Sequence, residues 1–125
     1  MIKLTDALIL HSKIVAASGG SDGLRDKGGL EAALERPFSG FGDFEFYSMP
    51  EQKAAALIES IVKNHPFIDG NKRTGYVLMR LLLSVYKKDI VATEAEKYDF
   101  VIQVAAGNWD YDQILKWIQT HVIAL

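Results

Sequence analysis

An all-α fold, a compact helical bundle, is what this sequence predicts, and three observations carry that expectation. Apolar residues fall at helical spacing over most of the chain. A Ser, Thr or Asp stands three residues before a Glu or Gln at Ser48–Glu51, Thr93–Glu96 and Asp110–Gln113. Such pairs satisfy two orphan amides reciprocally at a helix start. Helix breakers punctuate the chain at helix-length intervals: Gly19-Gly20, Pro37, Pro66 and Gly107. At 125 residues the chain has the size of one domain with one core, spanning 1–125.

The elements follow in order. A first helix over Leu4–Ala17 starts near Thr5 and Asp6 and stops at the Gly pair. A Gly-rich loop, residues 19–29, leads to a short helix over Leu30–Glu35, because Pro37 disfavours helix at Arg36. Residues 38–47 hold two glycines and the alternating aromatics Phe44 and Phe46, which predicts a loop or short hairpin. Its aromatics have two outcomes open to them. They fold onto the core, or they stand beside a cleft and grip an extended peptide by strand addition. Ser48 opens a helix that runs to about Asn64 and is closed by Pro66. The next, from Asn71 as N-cap to Lys88, is apolar on nearly every side, which predicts a buried central helix. Phe67 and Ile68 are expected to anchor the intervening turn in the core. Thr93 opens a helix to about Ala106, and Asp110 opens the last, to about Val122. Trp109 and Trp117 read as core aromatics, His11 as a partly buried histidine with its partners satisfied, and His121 as a last-turn cation.

Composition narrows the function. Hydrophobic residues at 49% and charged residues at 24% describe an ordinary globular domain. A net charge of −2 without a basic stripe makes direct nucleic-acid binding unexpected. No cysteine is present, which excludes disulfides and thiolate metal sites. The apolar stretch Ala7–Leu10 is interrupted on both sides by Asp6, His11 and Lys13, so it does not read as a signal peptide. The run Tyr76–Tyr86 is broken by Arg80 and too short for a bilayer, so no membrane association is expected and a cytoplasmic location is the default.

One run concentrates the chemistry: His65-Pro66-Phe67-Ile68-Asp69-Gly70-Asn71-Lys72-Arg73-Thr74-Gly75. It falls where one helix stops and the next begins. A helix start is an anion site, since its first amides lack partners and the macrodipole is positive there. Lys72 and Arg73 at that end are unfavourable unless an anion offsets them. With His65 as a base and Asp69 as a carboxylate beside the cradle, the parts of phosphoryl transfer are present. A Walker A loop cannot be fitted around Gly70. Arg25 and Asp26, in the Gly-rich loop, read equally well as a solvated turn pair or as groups on the cleft rim.

His65 to Arg73 resembles the signature of the Fic/Doc superfamily, H-x-F-x-[DE]-[AG]-N-[GK]-R, and Lys72 makes it similar to the Doc branch of toxins from toxin–antitoxin pairs. The resemblance extends to His11, Gly19-Gly20, Gly23-Leu24-Arg25-Asp26 and Leu30–Pro37, and so covers most of residues 4–88. It implies a compact helical bundle with a flap over the site, and transfer from a nucleotide to a hydroxyl of a target protein. His65 would be the catalytic base and Asp69 would hold Mg²⁺. Gly70, Asn71, Lys72 and Arg73 would bind the nucleotide, ATP. Most Fic proteins carry Gly where Lys72 stands and transfer AMP. In the Doc branch the nucleotide is reversed and presents its γ-phosphate, which is a kinase reaction.

The leading expectation is therefore a Doc-like kinase toxin, with AMP transfer or a catalytically idle binding module as alternatives. Elongation factor Tu is the target associated with the Doc branch, though no residue here selects it. Many Fic proteins carry an inhibitory pattern, [ST]-x-x-x-E-[GN]. None of the seven glutamates here precedes Gly or Asn. Restraint is thus expected from an antitoxin in trans.

Overall fold

The computed structural model describes residues 1–125. Helix α3, Pro50–Asn64, is its axis. Against it pack α2 (Lys27–Glu35), α4 (Asn71–Val85), α5 (Glu94–Ala105) and α6 (Tyr111–His121), while α1 (Leu4–Ser18) packs on α4 and α2. Every residue of α3 from Lys53 to Val62 is buried, including Lys53, Glu59 and Ser60. The run Ala54-Ala55-Ala56 explains how: with only methyls on the surface, several helices can approach at once. Gly75 does the same from α4, where an added Cβ would lie 3.2 Å from Ile61 Cγ2.

This reverses one expectation. The central helix is α3; α4 leaves Arg80, Leu81, Ser84 and Val85 exposed. Apolar residues all round α4 suggested burial, but α3 buries polar groups by pairing them. Arg36 Nη1 bonds Glu59 Oε1 at 2.8 Å and Ser60 Oγ at 3.0 Å, and Lys88 pairs with the buried Glu51.

Helix ends differ by up to three residues from expectation, and α4 stops at Val85 rather than Lys88. Pro50 takes the first helical position, which shifts the cap from Ser48 to Met49. Gln52 Oε1 then accepts from Met49 N at 2.9 Å, leaving Glu51 free for Lys88. Helix α2 begins earlier than expected, at Lys27, because the Asp26 carboxylate accepts from Gly29 N at 2.9 Å. The caps at Thr93 and Asp110 form as expected, accepting from Glu96 N and Gln113 N.

Two small sheets complete the molecule. Strands β1 (Gly40–Phe41) and β2 (Phe44–Glu45) form the hairpin expected within residues 38–47. Strands β3 (Lys88–Ile90) and β4 (Val122–Ala124) pair antiparallel, Asp89 opposite Ile123. That second pair was not expected; it ties the end of the chain to the end of α4. Phe100 gathers the aromatic core, stacked on Trp117 at 3.9 Å and tilted against Trp109. No helix is long and apolar enough to cross a membrane.

Candidate active site

The motif turn is built by two segments far apart in sequence. Helix α3 stops because His65 adopts a left-handed backbone, φ 48°, and Pro66 follows. Such a conformation in a non-glycine residue is strained and needs support. The Gly-rich loop supplies it. Pro66 O accepts from Arg25 N and Asp26 N at 2.8 and 2.9 Å, and Ile68 N donates to Gly23 O at 3.1 Å. In this extended stretch neighbouring side chains face opposite ways. Phe67 is buried, whereas Ile68 is 58% exposed, so only one of the two expected anchors enters the core.

Arg25 answers the open question with a third role. Its Nε and Nη2 donate to the carbonyls of His65 and Asn64, both at 2.7 Å, and cap the C-terminus of α3. Neither Arg25 nor Asp26 lines the cavity beside the motif.

Gly70 replaces Asn71 as the N-cap of α4, with φ 77°. That frees the Asn71 side chain to turn back. Its Oδ1 accepts from Phe67 N and its Nδ2 donates to Phe67 O, both at 2.9 Å. These two bonds fix the amide, so the remaining Nδ2 hydrogen donates to His65 Nδ1 at 3.2 Å. The neutral His65 ring therefore rests with its proton on Nε2.

The first intrahelical bond of α4 runs from Thr74 N to Gly70 O at 2.9 Å. The amides of Asn71, Lys72 and Arg73 ahead of it have no acceptor in the chain. Unpartnered amides at a helix start can receive an anion, as the sequence led one to expect, and exposed Lys72 and Arg73 flank this cradle. Asp69 stands beside it. Gly70 N donates to its Oδ1 at 2.8 Å and Ser21 N to its Oδ2 at 3.2 Å. These backbone donors, helped by the charge on Arg73, hold its carboxyl below the usual carboxylate range. Gly20 permits the approach of that loop: at φ +114°, its added Cβ would fall 2.6 Å from Asp69 Oδ2.

A cavity of about 400 Å³ opens on this turn. His65, Asp69, Gly70, Asn71, Lys72 and Arg73, all six expected site residues, line one side. The other side, absent from the sequence reading, is Tyr76 of α4 with Lys97, Tyr98, Val101 and Ile102 of α5. The available signal was the spacing of Tyr98, Val101 and Ile102, which places them on one helix face. No residue of the hairpin lines the cavity. Phe41, Phe44 and Phe46 nonetheless stand exposed, so they do not fold onto the core.

Asp69 is the carboxylate beside the cradle, with Glu94 a second acid in the lining of the cavity, and no cluster of three His, Cys, Asp or Glu side chains could hold a metal unaided. A single carboxylate beside a phosphate cradle suits Mg²⁺, which keeps waters and takes phosphate oxygens as ligands.

Comparison with known proteins agrees with this geometry. The model of the Fic/DOC family matches residues 1–83, which include the whole motif turn and end before α5. The chain is 35% identical over 102 residues to Toxin Doc of Mycolicibacterium smegmatis, covering 78% of this chain and 77% of that one. It is 35% identical over 69 residues to a Fido domain-containing protein of Dictyostelium discoideum, covering 55% of this chain and 41% of that one. The chain belongs to the Fic/DOC family, in its Doc branch.

Proposed function

We propose that this chain is a toxin that transfers the γ-phosphoryl group of ATP to a hydroxyl of a target protein. The carrying observation is the convergence of His65, Asp69, Lys72, Arg73 and three unpartnered amides on one cavity. Catalysis of this kind is mostly positioning and charge neutralisation, so the phosphate seated in the cradle is the one transferred. The toxin part rests on the name of the bacterial relative.

The amides of residues 71–73 with Lys72 and Arg73 hold the phosphates, and the aromatic and apolar wall of α5 takes the nucleoside end. Asp69, ionised at neutral pH, would hold Mg²⁺, which would supply charge neutralisation on the phosphates. The target oxygen bonds to the γ-phosphorus as the bond to the ADP oxygen breaks, and His65 takes the hydroxyl proton. For this the ring must let go of Asn71, which frees the Nδ1 lone pair at the cost of one hydrogen bond, about 1 kcal/mol. His65 is exposed and has room to turn. Lys72 lies in the cavity, where the AMP-transferring pattern has only Gly.

The test compares ATP labelled at the γ and at the α phosphate, with candidate targets that include elongation factor Tu. Label from the γ position alone is expected, and His65→Ala should reduce it by roughly 10²–10⁴-fold with the fold intact. Label from the α position would establish AMP transfer instead. A fully active His65→Ala would remove the base from the mechanism, and no label from either position would leave a binding module.

A further inference from the structure

We infer that His11 is a positioning residue for the Asp69 carboxylate, acting through the peptide group that joins Asp69 to Gly70. The inference rests on the reading above, in which that carboxylate works beside the phosphate cradle. His11 touches none of the reacting groups and does not line the cavity. Its Nε2–H donates to the carbonyl of Asp69 at 2.7 Å. A trans peptide is planar, with its C=O and N–H pointing opposite ways. The N–H of that same peptide, on Gly70, donates to Asp69 Oδ1 at 2.8 Å. The ring therefore sets the plane, the plane aims the N–H, and the N–H sets the carboxylate.

The ring cannot drift. It is 1% exposed and stacks on Phe67 at 3.8 Å with 6° between planes. Its Nδ1 lies 3.4 Å from Asp22 Oδ1, and Ser12 Oγ donates to Asp22 Oδ2 at 3.0 Å. The preceding residue, Ser21, donates its N–H to the other oxygen of Asp69. Such an anchor is needed because Gly70, at φ +77°, lacks the Cβ that would hinder rotation of the preceding peptide. A flipped peptide would turn the Asp69 carbonyl oxygen toward its own carboxylate and the cradle, and repel an anion there.

Three variants test this: His11→Gln, whose amide nitrogen reaches about as far as Nε2; His11→Asn, which does not reach; and His11→Leu, which has no donor. Two readouts are followed. One is hydrogen exchange of the Gly70 amide. The other is the Mg²⁺ concentration that half-maximally supports ATP binding in calorimetry. The Leu and Asn variants should lose Gly70 protection and need about 10–100-fold more Mg²⁺, as when the outer partner of a ligand is removed. The Gln variant should stay close to wild type in both. If the Leu variant fails to fold, the Gln and Asn pair still decides. Equal behaviour of Gln and Asn, or a folded Leu variant with wild-type Gly70 protection, overturns the inference. If wild type binds no ATP at all, the proposed function fails, while the Gly70 amide still reports whether His11 holds that peptide.

Discussion

At the residue scale, three histidines with the same side chain have three fates, set by what their two ring nitrogens meet. His11 is buried and directs a peptide. His65 is exposed and parked against Asn71. His121 donates from Nδ1 to Trp117 O at 2.7 Å and from Nε2 to Glu96 Oε2 at 3.0 Å. Burial opposes the charge on His121, but the bonds to the Trp117 carbonyl and to Glu96 outweigh it and raise its pKa above the ordinary 6.5. The Thr93 amide, with His121, lowers Glu96 from 4.5 to about 2. The signs differ. The Glu96 contribution to stability is whole above about pH 4.5 and fades as pH falls toward 2. The His121 contribution is whole below pH 6.5 and fades as pH rises through its raised pKa. Glu96→Gln keeps the capping box, since Gln also accepts from Thr93 N. The melting-temperature gap between wild type and this variant should therefore be widest between about pH 4.5 and 6.5 and narrow on both sides. A gap that does not vary with pH would refute the pairing. The Thr93–Glu96 cap was legible beforehand, but the pairing of Glu96 with His121 was not. His121 read as a cation facing a helix dipole, because Glu96 lies 25 residues away and only the packing of α5 on α6 joins them.

At the element scale, legibility followed locality. Caps, stops and the motif turn depend on residues within a few positions of one another, and these came through to within three residues. What needed a partner from elsewhere did not. The support of the motif by residues 20–26, the wall on α5 and the β3–β4 pair all join distant segments. The hairpin shows both sides of this. Its glycines and aromatics announced a hairpin, but its fastening is long-range. Lys53 of α3, only 3% exposed, donates to Pro37 O at 3.2 Å, Glu45 Oε1 at 3.0 Å and Tyr47 O at 2.5 Å. One ammonium thus ties both roots of the hairpin to α3. Lys53 lies twelve residues before His65, about 18 Å along the helix, so this anchorage is separate from the cradle. Lys53→Met keeps the stem and removes the donor, leaving buried carbonyls unpaired at about 1–3 kcal/mol each. Chymotrypsin should cut faster at Phe41, Phe44 or Phe46 in this variant, while the far pair β3–β4 stays protected. An unchanged cutting rate would mean that Arg36, which bonds Tyr47 Oη at 3.0 Å, holds the hairpin without Lys53.

At the scale of the whole molecule, the cradle is formed and unblocked. The amides of residues 71–73 are unpaired within the chain, and Arg73 forms no ion pair with any of its acidic groups. An inhibitory Glu followed by Gly or Asn is absent from the sequence. On the proposed function, transfer to an essential target from an open site arrests growth unless a second chain restrains it. We predict that expressing this chain alone arrests growth in the native host lacking any neighbouring partner gene. Restoring an adjacent small antitoxin, folded on binding, should lift the arrest. His65→Ala should relieve it too. His65→Asn is the companion variant, because Asn tolerates the left-handed backbone that His65 adopts and so separates loss of the base from loss of the turn. Relief by both variants, with unchanged melting temperatures, would tie toxicity to the base. Wild type and variants that are equally harmless would end the toxin reading and favour a binding module built on the same bundle.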